Sequence, residues 1–272
     1  ICDVPQMVYG NKPVDGGFLF LSAEDKNEAI AKEPKVAAYI KRIYGSVEYI
    51  NNKERYCLWL VNATPTDIRN SPFIRNRIEQ VRQFRICSPK KATQISAETS
   101  TMFQEVRQPD TDYMIVPRVS SENRRYIPIG FMPSDIIVND SVQIIPNATL
   151  YHFGILESNV HMAWMRAVCG RLKSDYRYSK DVVYNTFPWP NPTDEQRTKI
   201  EQTAQAILDA RALYPDSSLA DLYDELTMPV ELRKAHQDND RAVMQAYGFD
   251  VKTMTESQCV VELFKLYQEL TK

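Results

Sequence analysis

The sequence is poor in glycine, and the spacing of its 8 glycines matches no phosphate-binding loop motif. Neither GxGxxG, which binds dinucleotides, nor GxxxxGK[ST], which binds nucleotide phosphates, occurs. The GxSxG nucleophile elbow is also missing. An amino-methylating enzyme would need an (N/D/S)PP(Y/F) loop, and the nearest string, Asn191-Pro192-Thr193, does not match it. We therefore expect no catalytic residue in this chain.

Metal-ligating side chains are few and lack ligand spacing. The five cysteines include no CxxC pair, and no two of the three histidines are spaced as zinc ligands. The string Glu33-Pro34-Lys35 has the bare ExK spacing of a nuclease but lies in a polar helical pattern, not on a strand. We expect no metal site and no disulfide framework, and a reducing cytoplasm suits this cysteine usage best.

Long apolar runs are also missing: none approaches the roughly 18–20 residues that a membrane span requires, so we expect no membrane role. The sequence begins at Ile1, without an initiator methionine or a signal-like stretch. We expect it to be part of a longer protein.

The formal net charge of −2 is unevenly distributed. Residues 1–190 carry a net charge of +4, whereas residues 191–272 carry −6. Two stretches are strongly basic: residues 67–91 hold seven Lys or Arg against two acids, and residues 166–180 hold five against one. Such stretches suit contact with nucleic-acid phosphates, although a solvated surface would have the same composition.

A proline-rich string, FPWPNP at positions 187–192, marks the main change in pattern because proline interrupts helices and central strands. Helix and strand patterns alternate before it, and nearly everything after it is helical. The sequence predicts an α+β fold, with a mixed α/β domain over residues 1–188 and a small helical domain over residues 189–272.

Periodicity predicts individual elements. Helices are expected over residues 23–44 with a break near Pro34, and over 72–85, 158–172, 229–247 and 256–270, with a further one beginning at Thr193. Strands are expected over residues 56–61, 113–119, 125–131, 136–138 and 142–145.

Several strings are more specific than composition. They are, in order, MVYGNKPVDGG (7–17), PRVSSENRRYIP (117–128), HMAWMR (161–166), GRLKSDYRYSK (170–180), VYNTFPWP (183–190), LYD (222–224) and LRKAH (232–236). Together they resemble the C-terminal region of MmeI-like (type IIL) restriction-modification proteins and their methyltransferase-only relatives. The resemblance spans nearly the whole chain.

This resemblance implies that the chain is the target-recognition part of a larger adenine-N6 DNA methyltransferase, or of a restriction-modification enzyme. The parent protein would carry the methyltransferase domain upstream and use S-adenosylmethionine, with Mg²⁺ if a nuclease is also present. The expected partners of this chain are double-stranded DNA and that upstream domain, and no cofactor is expected in the chain itself.

Basic residues near predicted loops are the candidates for phosphate contact, because phosphate contacts fix the position of a duplex. They are Lys12, Arg82, Lys90, Lys91, Arg118, Lys173, Arg177 and Lys180. Some have a second interpretation: Lys173 and Arg177, with Arg171, would lie near the C-terminal end of the predicted helix 158–172 and offset its dipole. Residues 10–13 and 16–17 are expected to form structural turns.

Two short polar segments are the candidates for reading base edges. One is the loop around Asn123 and Arg124, and the other is Glu157, Asn159 and His161 at the start of the helix 158–172. Glu can accept from cytosine, Asn can pair with adenine, and Arg can bind guanine bidentately. For the second segment, helix capping by Ser158 is the structural alternative.

Two other functions fit the sequence less well. One is a non-enzymatic protein-interaction or scaffold module with an acidic helical tail, which would have no affinity for DNA. The other is single-strand or RNA binding, for which several tyrosines could supply stacking surfaces. Competition between single-stranded and duplex DNA would separate the second of these from duplex recognition.

Overall fold

The computed structural model describes all residues from 1 to 272 and has the predicted α+β composition. The strands are β1 Val8–Tyr9, β2 Phe20–Leu21, β3 Ile40–Tyr44, β4 Tyr56–Leu58, β5 Tyr113–Pro117, β6 Val119–Ser120, β7 Gly130–Met132, β8 Ile137–Val138, β9 Val142–Pro146, β10 Gly170–Leu172 and β11 Asp175–Arg177. The helices are α1 Ala23–Lys32, α2 Ser46–Ile50, α3 Pro65–Asn70, α4 Pro72–Ile86, α5 Lys91–Ile95, α6 Leu150–Leu156, α7 Asn159–Val168, α8 Asp194–Ala212, α9 Leu219–Leu222, α10 Val230–Ala246 and α11 Glu256–Leu270.

The chain forms two compact units. The larger unit contains Ile1–Val8, Thr111–Met132 and Gln143–Lys272, and the smaller unit contains Tyr9–Asp110 and Pro133–Val142. The boundary predicted between residues 188 and 189 falls inside the larger unit, so the compact units follow a different division of the chain. The division into 1–188 and 189–272 stays a prediction.

The smaller unit is built on a four-stranded sheet in the order β2-β4-β3-β8. Its apolar core includes Leu19, Ile43 and Val81, which are fully buried. Arg85 is also fully buried, and its guanidinium donates hydrogen bonds only to backbone carbonyls. The acceptors are the carbonyl oxygens of Pro13, Val14, Ser96, Thr99 and Met102, at 2.7–3.1 Å. This basic residue is therefore a structural link and is not available for phosphate contact.

The start of α4 explains the Glu33-Pro34-Lys35 string. Ser71 caps this helix by accepting from the backbone N–H of Ile74. The Glu33 carboxylate accepts from the backbone N–H of Phe73 at 2.8 Å and from the hydroxyl of Ser71. Glu33 thereby satisfies a helix-terminal N–H that would otherwise lack a partner, which gives this ExK string a structural role.

The larger unit combines two small sheets with the helices α6 to α11. The sheets have the strand orders β1-β9-β5-β7 and β10-β11-β6. Trp164 of α7 lies at the centre of the core, donates to the carbonyl of Val183 at 3.1 Å, and packs against Phe264 of α11. The C-terminal helices thus complete the core that the strands begin.

The structure confirms several predicted elements and corrects others. The helices α4, α10 and α11 confirm the predictions over 72–85, 229–247 and 256–270. Residues 40–44 form strand β3 and not the end of a helix, because they pair with β4 and β8. The predicted helix 158–172 ends at Val168, and β10 and β11 form a hairpin after it. Of the predicted strand 125–131, only the part from Gly130 is extended and paired.

No helix of the structure is both long and apolar enough to cross a lipid bilayer.

Candidate nucleic-acid interface

Strand pairing in the larger unit brings together two polar segments that are about 50 residues apart in sequence. Strand β11 pairs with β6 through Tyr176 opposite Ser120, and with β10 through Tyr176 opposite Arg171. The loop of residues 121–125, which follows β6, therefore begins beside the hairpin of residues 170–177. We call this loop and this hairpin together the basic edge.

The basic edge carries five basic and two acidic side chains. Arg171 lies 3.7 Å from Glu122 and stacks over the ring of Tyr176, which joins the loop to the hairpin. Lys173 is exposed at the hairpin turn and has a left-handed backbone with φ of 57°. Because only Gly adopts this conformation without strain, a Lys here has no conformational advantage. The excess positive charge is consistent with contact with an anion.

A cleft of about 490 Å³ lies beside the loop. Its walls come from residues 122–126, from one side of α7 between Asn159 and Arg166, and from the start of α11 with the residues before it. Arg166 in this wall is held by Glu256 through two hydrogen bonds of 2.7 and 3.1 Å. Burial lowers the pKa of Arg124 from its ordinary value, while Asp175 and Asp224 oppose that shift. Arg124 Nε is buried in the cleft wall without a hydrogen-bond partner.

The prediction that Glu157 reads bases is wrong. Its side chain is fully buried and its carboxylate accepts from Arg211 at 2.8 Å and from the backbone N–H of Ile129 at 2.7 Å. Burial raises the pKa of Glu157 to about 7, and the Arg211 charge opposes that rise. A carboxylate held in this way cannot reach a base edge unless the core opens.

The assignment of base reading to His161 is also wrong. His161 is 1% exposed, its Nε2 lies 3.0 Å from the hydroxyl of Tyr178, and its ring packs edge-on against Phe187. Burial lowers its pKa to about 3, so the ring is neutral at physiological pH. The backbone N–H of His161 donates to Ser158, which confirms Ser158 as the N-cap of α7.

The remaining base-reading candidates lie around the cleft and stay predictions. Asn123 is exposed in the loop, Arg124 is half-buried beside it, and Asn159 lines the same cleft at the first residue of α7. The backbone N–H of Asn159 donates to Asp240, while its Oδ1 is buried without a partner. The structure thus brings Asn123, Arg124 and Asn159 together, and excludes Glu157 and His161 from the set.

The predicted phosphate contacts are divided between the two units. In the larger unit, Lys173 and Arg177 are exposed on the hairpin, and the Arg118 carbonyl accepts from the backbone of Tyr178 beside it. Lys180 forms a 2.6 Å ion pair with Asp181. The helix-dipole interpretation of Lys173 and Arg177 is wrong, because both residues lie in the hairpin and beyond the last turn of α7.

The other four phosphate candidates lie in the smaller unit. Lys12 is paired with Glu105 at 3.2 Å, and Arg82 lies 3.8 Å from Glu79 on an exposed face of α4. Lys90 and Lys91 are exposed at the N-terminus of α5, where positive charge is unfavourable to the helix dipole. The helix dipole therefore does not favour the charges of these two lysines, and they stay candidates for phosphate contact.

Sequence reasoning missed the structural neighbours of the loop. Arg125 and Arg166 both line the cleft, but the sequence did not predict that they lie together, because the two residues are about 40 positions apart. For Glu157, a usable signal was present: it directly follows the apolar run Phe153–Leu156, which indicates burial. The partner of a buried carboxylate, here Arg211, is not visible in a single sequence.

No group of three or more His, Cys, Asp or Glu side chains in the structure could hold a metal ion.

Comparison with known proteins accounts for the whole chain. The family model for the MmeI target recognition domain matches residues 1–191, and the model for the MmeI C-terminal domain matches residues 192–272. The chain belongs to the MmeI family. It contains the two regions that those models describe, with their boundary close to the proline-rich string at 187–192.

Two relatives of this MmeI-family chain are informative. DNA methyltransferase A of Bacillus subtilis (strain 168) is 41% identical over 272 residues, which is 100% of this chain and 31% of the relative. The solved structure of the type IIL restriction-modification enzyme MmeI in complex with DNA is 47% identical, with a TM-score of 0.97, over 99% of this chain and 36% of the enzyme. The chain therefore spans about a third of the length of these relatives.

Proposed function

We propose that this chain recognises the target sequence in double-stranded DNA for a larger DNA methyltransferase or restriction-modification polypeptide. The observation that carries the proposal is the basic edge, in which the 121–125 loop and the 170–177 hairpin lie side by side. Membership of the MmeI family and the 47% identity to an enzyme solved with DNA support it. The finer proposal is that the parent methylates adenine N6.

Within this proposal the two parts of the basic edge have different tasks. Asn123 and Arg124 offer the donors and acceptors that read base edges in a major groove. Lys173 and Arg177 on the hairpin supply phosphate contacts that hold the duplex in register. In the smaller unit, Lys90 and Lys91 are further candidates for phosphate contact. Asn159 supplies a further polar group on the wall of the cleft beside the loop.

Methyl transfer itself is proposed for the rest of the parent protein. S-adenosylmethionine would supply the methyl group, and Mg²⁺ would be needed if a nuclease is present. No residue of this chain is assigned to binding S-adenosylmethionine or Mg²⁺, since none of its sequence strings matches the loops that bind them. An enzyme that methylates an amino group must extrude the base from the stack, so a separate surface must hold the duplex. We propose that the parent protein acts in the cytoplasm, where it would meet the DNA that it modifies.

Binding of the full-length protein to labelled duplexes tests this function. We expect duplex DNA to compete better than single strands, and the affinity to fall steeply with salt as counterions are released. Lys173→Ala should weaken binding to all sequences equally, whereas Asn123→Ala should weaken only binding to the preferred one. A protein without affinity for duplex DNA at low salt would contradict the proposal and favour the interaction-module alternative.

A further inference from the structure

The C-terminal end of the 121–125 loop is fixed by a residue of the helical tail. Tyr126, which directly follows the loop, is 2% exposed. Its hydroxyl donates a 2.7 Å hydrogen bond to Asp240 on α10, and its ring stacks on the imidazole of His236 with centroids 4.0 Å apart. Both partners lie on one face of α10, four residues apart. The loop therefore ends on a surface that residues after position 191 provide.

The same carboxylate fixes the opposite part of the cleft. Asp240 Oδ1 accepts from the backbone N–H of Asn159 at 2.7 Å, while its Oδ2 accepts from Tyr126. Asn159 is the first residue of α7, where a backbone N–H has no partner within the helix. One buried side chain thus sets the position of the loop end relative to the helix start.

His236 is in turn held by further buried polar groups. Its Nε2 lies 2.9 Å from the hydroxyl of Tyr223, and that hydroxyl accepts from Arg211 Nε at 2.8 Å. Arg211 is paired with Glu157, which accepts from the backbone of Ile129 on the strand side of the core. These hydrogen bonds hold His236, Arg211 and Glu157 in fixed positions, while His236 Nδ1 and Glu157 Oε2 are buried without a partner. The network leads from α10 to Ile129, which lies three residues beyond Tyr126.

We infer that α10 is a positioning element for DNA reading, and that Tyr126 and Asp240 set the geometry of the 121–125 loop without touching DNA. This inference rests on the proposed function of the loop. Base-edge hydrogen bonds require donors and acceptors to be placed within about 0.5 Å. Phosphate contacts from flexible lysines tolerate larger displacements. Loss of the hydrogen bond between Tyr126 and Asp240 should therefore reduce discrimination between DNA sequences more than it reduces affinity for DNA in general.

Competitive binding of the full-length protein to two duplexes tests this inference. One duplex carries the motif that the protein methylates in cells, and the other carries a scrambled version. Tyr126→Phe removes only the hydroxyl and retains the ring stacked on His236. We expect the ratio of the two affinities to fall by about fivefold, as for the loss of one buried hydrogen bond, with affinity for the scrambled duplex changed less than twofold. Asp240→Asn, which can still accept from Asn159 and donate to Tyr126, should retain most of the wild-type ratio.

The matched control is Asn239→Ala on the same helix. Asn239 is fully buried and donates to the Gly154 carbonyl at 2.7 Å, so its loss destabilises the tail without touching the loop. We expect this variant to lower Tm and leave the affinity ratio unchanged. An unchanged ratio in Tyr126→Phe, or an equal fall in Asn239→Ala, would overturn the inference. A wild-type ratio of one would instead refute the proposed function of the loop.

Discussion

The carboxylate of Glu157 lies 2.8 Å from the guanidinium of Arg211, and both side chains are almost completely removed from solvent. The backbone of Ile129 contributes to the same site, since its N–H donates to Glu157 and its carbonyl accepts from Arg211. This ion pair joins the end of α6 to α8. Its two residues are 54 positions apart in the sequence. Glu157, which its residue type suggested for DNA reading, is thus part of the buried core.

Removing one member of this pair should destabilise the protein strongly. We expect Glu157→Ala to lower the free energy of unfolding by about 3–5 kcal/mol, because Arg211 would be left charged and buried without its partner. Urea denaturation measures the change. The double variant Glu157→Gln with Arg211→Met should recover part of the loss. A stable Glu157→Ala protein with an altered DNA preference would contradict the structural role.

Stability should depend on pH through Asp240. Burial raises the pKa of Asp240 to about 6, against the opposing hydrogen bonds from Tyr126 and the Asn159 N–H and the charges of Arg125 and Arg166. In the unfolded chain an Asp titrates near 3.9. The folded state therefore binds this proton more tightly, and its contribution is complete below about pH 4 and lost as the pH rises through about 6.

Urea midpoints measured between pH 4 and pH 8 check this prediction. The free energy of unfolding of the wild type, measured relative to that of Asp240→Asn, should fall as the pH rises from 4 through about 6, because only the wild type carries this titrating carboxyl. The buried histidines, such as His161 whose pKa burial lowers to about 3, contribute in the opposite direction, but they are present in both proteins and cancel in the difference. An identical pH profile for the two proteins would show that Asp240 does not titrate in this way.

The charge of Lys173 should contribute to DNA affinity independently of its backbone. Because Lys173 has a left-handed φ of 57°, Lys173→Gly removes the charge while relieving backbone strain. We expect weaker binding to every duplex, an unchanged or higher Tm, and a salt dependence of log K reduced in slope by about 0.9. Lys234→Ala, on an exposed face of α10, is the control and should bind as the wild type does. An unchanged slope for Lys173→Gly would remove the hairpin from the phosphate contacts.

Gly10 should be indispensable to the smaller unit for steric reasons. A Cβ at this position would lie 2.2 Å from the carbonyl oxygen of Asn139, which cannot move without displacing the backbone. Gly10→Ala should therefore lower the free energy of unfolding by about 1–3 kcal/mol. Gly170→Ala is the matched control, because its nearest atoms are 4.0 Å away. Equal stability of the two variants would contradict the close approach.

The sequence predicted those parts of the fold that depend on local patterns. Helix α11 was predicted with its observed bounds, because its Thr255 cap and its apolar periodicity are both local. The hairpin β10–β11 was missed because its strands are only three residues long, and long-range pairing with β6 holds them.

For the candidate site, residue type suggested Asn123 and Arg124, which line the cleft and stay predictions, but it misplaced Glu157 and His161. Burial decides between a binding group and a structural one, and it depends on contacts with α8 and with the 176–178 segment that lie far along the chain. The anchoring of Tyr126 by Asp240 could not be inferred from spacing, since 114 residues separate the two.

The most direct test of the account is single-molecule sequencing of DNA from cells that express the full-length parent protein, scored for N6-methyladenine. We expect one fixed motif to be modified in the wild type. Replacement of Asn123 and Arg124 by alanine, with Tyr126 retained, should relax or change one or two base positions of that motif. No modified motif in the wild type, or the same motif at the same level in the variant, would contradict the claim that this loop reads DNA.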